Sequence, residues 1–298
     1  MEMQIRTDLA MEAQVLQQAD GHLPKGVTVR RENLHGVPAT VVEIRSVSAA
    51  KAVGKPRGTY ITVELGSVLR REKESFEAAV RTIGSYLDAL LALPASLPVL
   101  VAGLGNRDIT PDAVGPMTAD HILVTRHMLR EMPSAFRHFR PVGAVVPGVL
   151  GTTGMESAET VRALAEKTEA AAVVAVDAIA ARDTSLLCST VQLSNAGIAP
   201  GSGIGNRRHA LDKSTLGVPV IALGVPTVTD AATLASDLLT RAGSEASEDR
   251  LRQVSGGMIV TSSDIDRRVR EVSRVLAYGI NSALHPDLTV EDLTDLTF

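Results

Sequence analysis

Two aspartates carry the strongest chemical signal in this sequence. Asp177 closes the apolar run VVAVD, and Asp112 stands in GLGNRDITPDAVGP, a loop over residues 103–116 that follows another apolar run and is stiffened by Pro111 and Pro116. A carboxylate at the end of an apolar strand leaves water unless it lies in a cleft, and desolvation raises its pKa toward neutrality. Neighbouring strands run about 4.8 Å apart, so acids at the ends of adjacent strands can face one another across a space that holds a water. Like charges that close do not both ionise cheaply. One keeps the proton, the other acts as base, and the pair titrates as a unit. That is hydrolytic chemistry with neither a metal nor a nucleophilic side chain. Structural readings stay open beside it: Asp177 as a helix cap or the partner of Arg182, and Asp112 as the N-cap of the helix carrying ADHILVTRHML.

Other constellations are weaker. GSGIG, in the loop SNAGIAPGSGIGNRR over residues 194–208, invites a dinucleotide reading, but NRRHALDKSTLG follows it where an amphipathic helix is needed, with no ribose-binding acid at a suitable distance. There is no G-x-x-x-x-G-K-[ST] run, no H-E-x-x-H and no G-x-S-x-G. His121 and His127 are six apart, on different faces of any helix that holds them. Cys188 is the sole cysteine and sits in SLLCSTVQL as a buried structural thiol, so no disulfide forms within the chain. Near the N-terminus, IRTDLAMEA reads as a helix start, with Thr7 or Asp8 as cap and Leu9, Ala13 and Leu16 toward one face.

The elements that must position these residues alternate between strand and helix. Residues 27–45 read as a β-hairpin turning at His35-Gly36. EKESFEAAVRTIGSYLDALLA has a helical period and leads into PVLVAGLGN, the pattern of a buried parallel strand with a loop at its C-terminal end. MTADHILVTRHMLREM reads as one helix, RPVGAVVPGVLG as strand and loop, SAETVRALAEKTE as helix and AAAVVAVDAIAA as strand. VPVIALGVPTV is a further strand, DAATLASDLLTRA a helix, and Ser262 or Ser263 caps a long helix with Ile265, Val269, Val272, Leu276 and Ile280 on its apolar side. GSEASEDRLRQVSGG reads as a surface loop. The alternation predicts an α/β fold, a mostly parallel sheet sandwiched by helices, with a small N-terminal β-hairpin region. In such sheets ligands bind outside the carboxyl ends of the strands, where Asp112 and Asp177 fall.

Composition narrows the function classes. The chain has 298 residues, 45% of them hydrophobic, enough for a substantial core. A net charge of −4, with no Trp, three Tyr and four Phe, argues against direct nucleic-acid binding. No apolar run is long enough for a membrane span, and Met1 opens onto charged and polar residues with no visible signal peptide, so a cytoplasmic protein is expected.

Taken in order, RTDLAMEA, GLGNRDITPDAVGP, LVTRHML, RPVGAVVPGVLGTTGMES, VDAIAAR, GIAPGSGIGNRR and LGVPVIALGVPTVTDA resemble the germination proteases of spore-forming bacteria. The similarity runs from Arg6 to about Ala232 and resumes in GGMIVTSSDIDRRVREVSRVLAYGINSALHP. The resemblance implies a phosphorylase/hydrolase-like fold similar to that of hydrogenase maturation proteases. It implies an aspartic-type endopeptidase that degrades the small acid-soluble proteins coating spore DNA, assembles as a homotetramer and works in the forespore and spore core; no cofactor or metal is expected from the residues. It maps the catalytic pair onto Asp112 and Asp177. It also implies a zymogen that cuts itself after an acidic residue and before an apolar residue and Ala, at a site that mimics the substrate. Thr7-Asp8-Leu9-Ala10 matches that site. Asp8-Leu9 is then the scissile bond, Met1–Asp8 a short propeptide, and residues 9–298 a single α/β peptidase domain.

The sequence departs from the family in having only GSEASEDRLRQVS between DLLTRA and GGMIV. Two other classes stay open: a metal-dependent maturation peptidase using the two carboxylates with a histidine, and a nucleotide- or sugar-phosphate-binding protein using the glycine loops. Neither accounts for RTDLA. An acidic residue beside the cut calls for a local cation. Arg107, Arg182, Arg207 and Arg208 lie in or just after the active-face loops, with Arg182 the first candidate.

Overall fold

The structure, a computed structural model, describes residues 7–16, 22–66, 73–201, 208–244 and 247–297. Helix α1 (Ala10–Leu16) precedes a hairpin of β1 (Val27–Leu34) and β2 (Val37–Ile44). The hairpin turns at His35 and Gly36, both with positive φ (52° and 83°), the backbone that a two-residue turn between twisted strands demands. Helix α2 (Val47–Val53) is capped by the Ser46 hydroxyl, which accepts from Ala49 N, and ends on Gly54; β3 (Gly58–Glu64) then returns antiparallel to β2.

Helix α3 (Lys73–Leu91) leads into β4 (Val99–Gly103), and α4 (Val114–Ala119), α5 (Arg126–Glu131) and α6 (Pro133–Phe136) precede β5 (Val142–Val145). Helices α7 (Leu150–Thr153) and α8 (Ser157–Thr168) lead to β6 (Ala172–Ala180), β7 (Thr190–Ser194) follows, and α9 (Lys213–Leu216) precedes β8 (Val220–Asp230). The chain closes with α10 (Ala231–Arg241), α11 (Glu248–Ser255), β9 (Ile259–Val260), α12 (Ile265–Leu284) and α13 (Val290–Thr297).

Among the described residues the strands run β1-β2-β3-β7-β8-β6-β4-β5, with β9 on β8. The expected parallel sheet is the part β8-β6-β4-β5. The antiparallel part is larger than the hairpin alone, because β3 and β7 join the hairpin to β8, making the whole sheet mixed rather than mostly parallel. Helices cover both faces. Ile83 and Leu87 of α3 and Val272 and Leu276 of α12 pack with Val101, Val174 and Leu223, while Val161 and Ala165 of α8 pack with Leu100 and Val173 on the other face. Successive strand residues thus feed opposite cores, which is why these strands read as unbroken apolar runs.

Further expectations change: α12 starts after Asp264 with no side-chain cap, so neither Ser262 nor Ser263 caps it. The single helix over residues 117–132 is split into α4 and α5, because Asn281 of α12 accepts from Leu123 N and donates to His121 O, and Thr125 N donates to Val142 O. The polar segment GSEASEDRLRQVSGG contains helix α11, and its residues 245–246 lie outside the described residues. No described helix is long and apolar enough to cross a membrane.

Candidate active site

Strand β4 sends its connection to β5 on one side, whereas β6 lies on its other side and continues toward β8. That reversal opens a crevice at the carboxyl ends of β4 and β6, the usual ligand position in an open α/β sheet. A cleft of about 440 Å³ occupies it, lined among others by Asp8, Asn106, Asp112, Asp177 and Arg208.

Glycines let the walls close on one another. A Cβ on Gly105, whose φ is +109°, would lie 2.1 Å from the Asp112 carbonyl oxygen, and one on Gly115 would lie 2.2 Å from Leu104 O and 2.5 Å from Val176 O. The segment holding Asp112 therefore folds flat over the end of β4, against β6. Asp112 ends a short 3₁₀ turn begun by Thr110-Pro111, is partly buried, and accepts a hydrogen bond at Oδ2 from Asn106 N at 2.7 Å. It does not cap α4, which starts after Ala113 with no side-chain cap.

Asp177 lies within β6 rather than at its end. Strand β4 stops beside it, at the pairing of Gly103 with Val176, while β8 continues alongside with Gly224 opposite Asp177. The carboxylate is buried, at 2% exposure. Oδ1 accepts from Ala178 N at 2.9 Å, and Oδ2 has no hydrogen-bond partner. Burial lifts its pKa well above the ordinary carboxylate value, and the charges of Asp112 and Asp8 add to the lift. Burial also raises Asp112, against the opposing pull of the Asn106 N–H. The two acids therefore differ in environment, and the more deeply buried one resists ionisation more strongly.

The N-terminal segment enters the same cleft. Asp8 N donates to Ala180 O at 2.9 Å, continuing the hydrogen bonding of β6, and Ala180 N donates to Asp8 Oδ2 at 3.0 Å. Gln192 of β7 clamps the next peptides: its Nε2 donates to Asp8 O at 3.1 Å and its Oε1 accepts from Ala10 N at 2.7 Å. Leu9 is fully buried among Ile179, Ala181 and Leu187. Glu12 accepts from Arg182 N and Asp183 N, at 2.9 and 2.7 Å, and from the Thr7 hydroxyl. The helix start expected after Thr7-Asp8 is also present, as α1 from Ala10.

The candidate cations part company. The Arg182 guanidinium pairs with Asp237 at 2.7 Å rather than with Asp177, and Arg107 makes a two-bond contact with Asp120 at 2.6 and 2.8 Å. Arg208 lines the cleft 3.9 Å from Glu156. Arg207 and the GSGIG glycines after Gly201 lie outside the described residues, as do Met1–Arg6. Lys55, which sequence reasoning passes over, comes to 3.7 Å from Asp8 Oδ1. Gln192 is missed too, because a lone glutamine in an apolar run carries no spacing signal. Cys188 is buried, and burial pushes its thiol up to about 12, as a structural residue requires. No three His, Cys, Asp or Glu side chains among the described residues converge as a metal-ligand set.

A family model described as germination protease matches residues 4–253. The germination protease of Caldanaerobacter subterraneus subsp. tengcongensis is 38% identical over 318 residues, taking in 98% of this chain and 98% of the relative. That of Clostridium perfringens is 36% identical over 97% of this chain and 98% of its own length. That of Priestia megaterium is 33% identical over 97% and 95%. Among solved structures, the NiFe hydrogenase maturation protease HycI from Thermococcus kodakarensis KOD1 aligns with a TM-score of 0.34 and 15% identity, over 65% of this chain and 98% of that one.

Proposed function

The chain belongs to the germination protease family, and from that premise we propose that it is a self-processing aspartic-type endopeptidase whose substrates are the small acid-soluble DNA-binding proteins of the spore. The observation that carries this reading is the entry of Asp8 into the cleft of Asp112 and Asp177, its N–H and its carboxylate both hydrogen-bonded to Ala180 at the end of β6.

In this mechanism Asp177 holds the proton, since its burial makes the charged form costly, and Asp112 is the ionised base. Asp112 takes a proton from water as the water oxygen bonds to the peptide carbonyl carbon, and Asp177 protonates the carbonyl oxygen. On collapse the C–N bond breaks, the nitrogen leaves with the proton Asp112 had taken, and Asp177 recovers its own. Gln192 holds the peptide main chain at two points, so the bond after Asp8 is presented in one register.

Self-cleavage at Asp8-Leu9 removes the propeptide Met1–Asp8 and leaves residues 9–298 as the peptidase domain. Assembly as a homotetramer and residence in the forespore belong to the same proposal. Intact-mass measurement before and after mild acidification and dehydration of the purified protein tests it. A product beginning at Leu9 in the parent, and none in Asp112→Asn or Asp177→Asn protein, is the expected result.

A further inference from the structure

A carboxylate ahead of the cut has to be met by a cation on a chain whose net charge is −4. Arg182 is engaged by Asp237 and Arg107 by Asp120. Among the described residues Lys55 is the cation set against Asp8, Nζ lying 3.7 Å from Oδ1, and the pair is nearly sealed from water, with side chains 16% and 12% exposed. We infer that Lys55 is the specificity-determining residue that makes this peptidase choose an acidic side chain immediately before the bond it cuts, an inference that rests on reading Asp8-Leu9 as a substrate-like site.

The local fold aims Lys55 there. Helix α2 ends on Gly54 in the left-handed region, φ 72°, and both Gly54 N and Lys55 N donate to Ala50 O, which turns the chain sharply at that point. Tyr60 OH then donates to Pro56 O at 2.8 Å and fixes the residue that follows. Lys55 is thereby held from both sides, and its stem is buried. Burial pulls the ammonium pKa down, while Asp8 and then Glu12 push it back up. A neutral residue ahead of the cut leaves that cation buried without its nearest counter-charge, a costly state.

The second oxygen sharpens the choice. Asp8 Oδ2 accepts from Ala180 N while Oδ1 faces the ammonium, so both oxygens meet donors. An amide of the same shape has one acceptor and one donor. Whichever way it lies, its NH₂ opposes either the Lys55 ammonium or the Ala180 N–H and leaves a buried donor unpaired.

The test is a cycle on self-cleavage in the full chain, read as the rate of loss of the N-terminal peptide by mass spectrometry. The parent should cleave at least about tenfold faster than Asp8→Asn protein. In a Lys55→Met background the same Asp8→Asn change should alter the rate by less than about twofold, a collapse that loss of packing alone does not produce. If Lys55→Met does not unfold cooperatively, Lys55→Gln, which keeps a donor and much of the stem, takes its place. The same ratio measured with paired peptides carrying Glu or Gln before the cut should move in parallel. Persistence of the full acid preference without the lysine overturns the assignment of Lys55 alone. A parent that cuts elsewhere, or cuts the aspartate and asparagine forms equally, overturns the substrate-like reading of Asp8-Leu9 and the inference with it.

Discussion

Asp8 and Ala180 are joined twice: the main-chain N–H of Asp8 donates to the Ala180 carbonyl, and the Ala180 N–H donates to the Asp8 carboxylate. One bond fixes the register of the N-terminal segment against β6 and the other ties an acidic side chain to that register. Sequencing the N-terminus of processed protein should therefore give Leu9 as the first residue. Gln192→Leu, which removes the donor to Asp8 O and the acceptor for Ala10 N, should slow processing at least about tenfold without moving the site. A mature chain starting elsewhere contradicts the assignment.

Asp177→Asn and Asp112→Asn keep side-chain size but remove the acid or the base. Peptide hydrolysis should fall by roughly 10² to 10⁴, the range for positioned acid–base groups, with cooperative unfolding retained. Full activity in the Asp177→Asn protein ends the two-aspartate mechanism.

Stability should move the other way with pH. The Asp177 pKa is raised in the folded state, so its contribution is intact below the ordinary carboxylate value of 3.8 and is lost as pH climbs through the folded value. The Tm of Asp177→Asn protein relative to the parent should therefore rise as pH is raised from acid to neutral. A difference that stays flat with pH shows that this carboxyl carries no such load.

His285 sets an opposite slope on the acid side. It is buried after α12, its ring 5.4 Å from that of Phe139, and burial pushes its pKa from 6.5 down to about 4. The folded state then binds the proton less readily than the unfolded one. The contribution is full above the unfolded value and is lost as pH falls from 6.5 toward 4, by about 3 kcal/mol at most. Denaturant titrations of parent and His285→Gln protein should diverge across that window; parallel curves refute the assignment.

Chelation separates the aspartic mechanism from the metal-dependent alternative. Processing and peptide cleavage should survive exhaustive chelator treatment, and activity lost to chelator and restored by a divalent ion would replace the dyad with a metal mechanism.

Much of this architecture could be read along the chain, because it rests on local pattern. The positive-φ turn at His35-Gly36, the apolar runs before Asp112 and Asp177, and the apolar stripe of α12 each announce themselves within a few residues. What stayed hidden depends on partners far away in sequence. Asn281 breaks the helix over residues 117–132 by taking Leu123 N from across the fold. β7 reads in sequence as an apolar run after Cys188 and forms the link between the antiparallel and parallel parts of the sheet. Lys55 follows a glycine C-cap and precedes a proline, with nothing nearby to mark it, and meets Asp8 only once α2 packs with α1 and the antiparallel strands. Arg182 and Arg107 stand near the aspartates in sequence, yet their guanidinium groups reach Asp237 and Asp120.

Breaking the bond after Asp8 would not by itself empty the cleft. Leu9 stays buried among Ile179, Ala181 and Leu187, Ala10 stays on Gln192, and Glu12 stays on the amides of Arg182 and Asp183, all tethered through α1. A tethered stub competes at an effective concentration of about a millimolar or more. On the proposed cut, the freshly processed enzyme would begin product-inhibited, and its first turnover on another polypeptide would wait on the departure of its own new N-terminus.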